Sequence, residues 1–122
     1  MIRMNKRFVI SALLLALEGC ASESEVVRKE TAFTLHSHLT PKVLALCIDG
    51  NAGKTNLFGT VQSRIINTGE NALEVIVGSG ETAHVVVRIA PENSGAMAEF
   101  HFGRTASWLT ETAYGNLSAG CE

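Results

Sequence analysis

No apolar run in this chain is long enough to cross a bilayer. The longest, Phe8 to Leu17, is ten residues interrupted only by Ser11; as helix it rises roughly 15 Å, about half of a ~30 Å hydrocarbon core. There is no Cys-x-x-Cys, which removes the usual redox motif. There is no Gly-x-Ser-x-Gly and no His-Glu-x-x-His, so neither a nucleophile elbow nor a zinc-protease helix is present. Positive charge is not in excess either: ten Lys and Arg stand against twelve Asp and Glu. Nothing electrostatic therefore favours nucleic acid.

What is present begins at the N-terminus. Arg3, Lys6 and Arg7 precede the apolar run, and Leu17-Glu18-Gly19-Cys20 follows it. A basic head, a short apolar middle and small residues after it form an export signal. Its exit resembles the bacterial lipobox, with a large aliphatic residue three before a cysteine and a small one just before it. Leu17, Gly19 and Cys20 match; Glu18 departs, since that position is usually small and uncharged. No competing Ala-x-Ala cleavage site follows. The resemblance implies removal of residues 1–19, diacylglycerol on Cys20 and attachment to a membrane through acyl chains. The alternative is an ordinary buried N-terminal helix that ends in cysteine.

Without the signal, seven basic and eleven acidic side chains remain, a net charge of −4. No basic patch then supports binding to anionic lipid, and anchoring rests on acylation. With Cys20 lipidated, Cys47 and Cys121 have a single possible pairing in an oxidising compartment. The alternative is two unpaired buried thiols. Residues 20–31 read as the lipidated cysteine and a flexible tether, because Ala21 to Thr31 is poor in apolar residues and aperiodic. By resemblance to sorting in enteric bacteria, Ala21 after the cysteine implies the periplasmic face of the outer membrane.

Residues 32–122 read as one small α+β domain. Ala32 to Leu39 is ambiguous between strand and loop. Thr40 as cap, Pro41 at the first turn and Gly50 as stop mark a helix, with Leu44, Cys47 and Ile48 on one stripe and Val43 at its edge. From Leu57 the period changes to two. Strands are expected over Leu57–Ile66, Ala72–Val77, Ala83–Ala90 and Ala96–Phe102, joined by turn-rich segments as a four-stranded antiparallel meander. Val85, Val87, Ile89, Phe100 and Phe102 should face the core, and His84, Arg88, Glu99 and His101 the other way. Val86 and Ile76 share that second face, so part of it should be covered. A last short helix spans Thr105–Tyr114, stopped by Gly115-Asn116, with Trp108, Leu109, Thr112 and Ala113 on a face. The disulfide ties it back. Leu44-Ala-Leu-Cys47-Ile48, Cys121 and Trp108 together resemble a loosely defined group of small bacterial lipoproteins of uncharacterised function. That likeness implies an architecture and no activity.

Three constellations invite chemistry. Gly50-Asn-Ala-Gly-Lys-Thr55 has two residues where a phosphate-binding loop needs four; it reads as a turn, with no nucleotide. His36 and His38 would share a side of a strand, and with His84 or His101 a zinc site can be imagined. No local carboxylates accompany them, so exposed histidines without metal or cofactor is the plainer reading. Glu99 and His101 would make an acid–base pair on one strand face, against the simpler reading of a wet sheet surface. Trp108 is expected in the core, packing the last helix on the sheet; if exposed it is an interface anchor, with His84 and His101 as further interface candidates. The expected function is non-catalytic: a lipid-anchored accessory domain that binds an envelope protein. A narrower alternative is an inhibitor of a cell-wall hydrolase, or a phage-exclusion protein. Ser94-Gly95-Ala96 resembles the Ser-Gly-x loop of membrane-bound lysozyme-inhibitor lipoproteins, whose later Trp-containing stretch is not matched around Trp108. A small periplasmic enzyme is the third reading.

Overall fold

A computed structural model describes residues 22–103 and 107–122. The expected export signal, Cys20 and the start expected for the last helix lie outside them. In chain order the elements are α1 (Glu23–Arg28), β1 (Phe33–Ser37), α2 (Pro41–Ala52), β2 (Gln62–Gly69), β3 (Ala72–Ser79), β4 (Thr82–Glu92), β5 (Gly95–Phe102) and α3 (Ser107–Ser118). The class is α+β, but the antiparallel sheet has five strands rather than four, in the order β1-β5-β4-β3-β2. The stretch left ambiguous at Ala32–Leu39 supplies the fifth. It pairs with β5 from Phe33↔Phe100 to Ser37↔Ala96.

This order places β1 and β2 at opposite edges, so the chain between them must cross the sheet. Helix α2 makes that crossing and packs on β2, β3, β4 and β5. Its start follows the expected chemistry: Thr40 Oγ1 accepts the Val43 N–H at 3.4 Å, with Pro41 in the first turn. Its end does not. Gly50 is inside the helix, which runs two residues further to Ala52. Leu44, Ala45, Ile48 and Ala52 are buried, and burial of Ala52 in that extension offsets the roughly 1 kcal/mol that a helical glycine costs. The same correction applies to α3. It passes through Gly115 and Asn116 because Leu117, wholly buried, lies beyond them. The left-handed residue that follows it is Gly120, with φ 72°.

The core lies between the sheet and the pair α2–α3. Val85, Val87, Ile89, Phe100 and Phe102 face it, joined by Val75 and Val77. Tyr114 fastens α3 to the sheet: it stacks on Phe33 at 4.4 Å and meets Phe100 edge-on at 4.9 Å. Cys47 and Cys121 form a disulfide, Cα–Cα 5.8 Å, linking α2 to the tail beyond α3. Leu57 to Val61 is not strand. Gly59, at φ 78°, turns the chain there, and Leu57 and Phe58 pack on the edge of the core instead.

The second face of the sheet has its own cover. Within the stretch expected to be a tether, α1 lays Val26, fully buried, on Ile76, Ala83 and Val86. This is the covering that Ile76 and Val86 called for.

Candidate functional site

The histidines and carboxylates singled out above are brought to three different places. His84 is not on the second face. Register along β3–β4 runs Val77↔Val85 and then Gly78↔Ala83, leaving His84 as the extra residue of a β-bulge. The bulge resets the alternation: Ala83 joins Val86 on the second face, and His84 turns toward the core side. There its ring stacks on Phe58 at 4.9 Å and 6°, and Nε2 lies 3.1 Å from Ser79 Oγ. Desolvation by these neighbours holds its pKa below the ordinary 6.5.

His101 and Glu99 do share the second face. Each is occupied in holding the link between α1 and β1. His101, buried, donates from Nδ1 to the Lys29 carbonyl at 2.9 Å. Its Nε2 is buried with no hydrogen-bond partner among the described residues. Glu99 accepts from Thr31 Oγ1 at 2.9 Å. Side chains that read as an acid–base pair are thus a clasp on the strap that carries α1. Arg88, across from Glu99 in the ladder, reaches Glu74 at 3.5 Å.

His36 is exposed on β1 and places Nδ1 2.9 and 3.0 Å from the two carboxylate oxygens of Glu92. His38 lies beyond the end of the strand and does not share its geometry. Among the described residues no three His, Cys, Asp or Glu side chains converge as a metal-binding group. The Gly50–Thr55 segment is the last turn of α2 and a following turn, with Lys54 N bonded to the Asn51 carbonyl at 3.0 Å.

Two surface features stand out instead. Trp108, expected in the core, is 68% exposed at the start of α3. Ala113, Tyr114 and Leu117 form the packing face of that helix, and Trp108 lies off it. The second feature is a groove of about 420 Å³ between α2 and the β2 edge, lined by Pro41, Lys42, Ala45, Leu46, Ile65 and Leu73. Leu46, Ile65 and neighbouring Val43 are exposed by 54%, 36% and 47%. Sequence reasoning missed this groove because Leu46 falls off the apolar stripe of its helix. A residue off the stripe is normally given no role at all. Asn51 was missed too: its amide donates to the carbonyls of Leu117 and Ala119 at 2.8 and 2.9 Å, buttressing the C-terminal tail. Ser94, of the Ser-Gly-x stretch, is exposed at the β4–β5 turn, while Gly95 is pressed under the Ser37 carbonyl.

No protein-family model matches the chain, and neither a curated protein nor a solved structure matches it significantly.

Proposed function

We propose that the protein is a lipid-anchored component of a bacterial envelope, held by Cys20 at the periplasmic face of the outer membrane, that works by binding a partner protein and not by catalysis. The basic head, the ten-residue apolar run and Leu17, Gly19 and Cys20 support the address. The disulfide between Cys47 and Cys121 suits an oxidising compartment. The observation that carries the binding half is Trp108. Its indole is solvent-exposed at the start of a helix whose packing face lies elsewhere, and tryptophan is among the side chains most enriched at binding hot spots.

The address is tested by mass spectrometry of the mature protein, which should begin at Cys20 and carry acyl chains. An unmodified Cys20 overturns the lipid anchor. The binding role is tested by placing a photo-crosslinking amino acid at position 108 in the lipidated chain in cells. One envelope protein should be captured, and a site on the opposite side of the domain, such as His36, should not capture it. Equal, diffuse labelling from both positions overturns the interface.

A further inference from the structure

Beyond partner binding through Trp108, we infer that the β2 edge is a self-association surface, where two copies of this chain pair antiparallel through a two-fold axis at Ile65 to make one ten-stranded sheet. Among the described residues no strand pairs with the outer side of β2, so its outer N–H and C=O groups are a template for another strand. Edges that stay single are usually short, charged or broken by proline. The other edge, β1, is five residues long. β2 is eight, contains no proline, carries one charge, Arg64, and confines its irregularity to the end beyond Asn67.

The sequence of the strand selects the register. Facing residues in an antiparallel pair point to the same side of the sheet, so a two-fold axis must pass through a residue and not between two. The ladder to β3 is regular from Gln62 to Asn67 and shifts after it, where Asn67 Oδ1 accepts the Gly69 N–H at 3.2 Å. An axis at Arg64 would set that guanidinium opposite its own copy. An axis at Ile65 pairs Ile65 with Ile65 of the second copy, Arg64 with Ile66 and Ser63 with Asn67, using only the regular ladder and facing no like charges.

The same pairing would also cover the apolar surface beside this edge. Three of the four large hydrophobic side chains exposed among the described residues, Val43, Leu46 and Ile65, lie on or beside the groove over β2. Leu46 and Ile65 line that groove together, so the axis brings both copies of each to one place. The axis is normal to the sheet, which keeps the α1-bearing faces of both copies on one side. If Cys20 is acylated, as proposed above, both anchors then enter the same membrane, and confinement there raises the effective concentration. The pairing itself does not depend on acylation.

The test is thiol crosslinking of the full chain, purified in mild detergent with Cys47–Cys121 oxidised. Ile65→Cys should give a covalent dimer with a short bis-maleimide. Gln62→Cys should not, because the two copies of position 62 would be six residue positions apart along the strands, about 20 Å. Adding Ile65→Lys to a native-edge protein should weaken the dimer at least tenfold by analytical ultracentrifugation, and leave the Tm of the monomer within about 3 °C because the side chain is part-exposed. Crosslinking at Gln62 equal to that at Ile65, a monomer at both positions, or capture of a different protein by Ile65→Cys each overturn the inference.

Discussion

Removing the Cys47–Cys121 bridge should lower stability by about 4 kcal/mol without changing the folded structure. The bridge spans 74 positions of sequence. Chain entropy alone assigns about 4 kcal/mol to closing a loop of that length in the unfolded chain. A domain of this size has a net stability of about 5–15 kcal/mol, so the loss is large but survivable. The folded state has other means of holding the tail. Asn51 ties the carbonyls of Leu117 and Ala119, Ser37 Oγ donates to the Cys121 carbonyl, and Ala113 and Leu117 are buried against the core. The paired Cys47→Ala, Cys121→Ala variant should therefore keep its far-ultraviolet circular dichroism in buffer. In urea, with a slope of about 2 kcal/mol per molar, its midpoint should fall by about 2 M. A fall of less than about 0.5 M would refute the loop-entropy reasoning. So would loss of α3 signals in buffer with the sheet intact, since the bridge would then act by local tethering of the helix.

Two glycines should respond in opposite directions. Gly50→Ala, inside α2 with nothing within 4 Å of an added Cβ, should stabilise by up to about 1 kcal/mol in urea melts. Gly95→Ala, at φ 152° with its Cβ overlapping the Ser37 carbonyl, should cost about 3 kcal/mol or more and disturb β1–β5 pairing in amide spectra. His84 should make stability pH-dependent. Its pKa is lowered in the folded state, so the unfolded chain binds the proton more readily; the contribution is present above about pH 6.5 and lost as pH falls through the lowered folded value. His84→Asn should flatten that part of a Tm-against-pH profile, and an unchanged slope would exclude the group. Val26→Asp should release α1 and abolish hydrogen-exchange protection at Val26 and Lys29 while sheet amides keep theirs.

Much of the architecture is legible from local chemistry. The period-two segments of β3, β4 and β5, the Thr40-Pro41 start of α2 and the pairing of Cys47 with Cys121 each rest on residues close together or on a count of candidates. Failures came where a distant contact overrode a local signal. Gly50 and Gly115 look like stops until the burial of Ala52 and Leu117 is known. His84 follows simple alternation until the bulge, which comes from the mismatch of β3 and β4 lengths between Val77 and Ser79. Glu99 and His101 were placed on the correct face, yet their partners, Thr31 and Lys29, lie about seventy positions away.

Trp108 shows the same division from the other side. Helical periodicity puts Trp108, Leu109, Thr112 and Ala113 on one face of α3, and only the position of Phe33 and Phe100 on the sheet decides that Tyr114 packs and Trp108 does not. The sequence by itself determined an α+β class, the core-facing residues of the central strands and the disulfide partners, because alternation, capping and cysteine number act over a few residues or by exclusion. Tertiary structure decided the fifth strand, the two-sided covering of the sheet, where each helix ends and which apolar side chains stay in water. Those outcomes depend on burial energies between residues far apart in the chain, and no local pattern carries them.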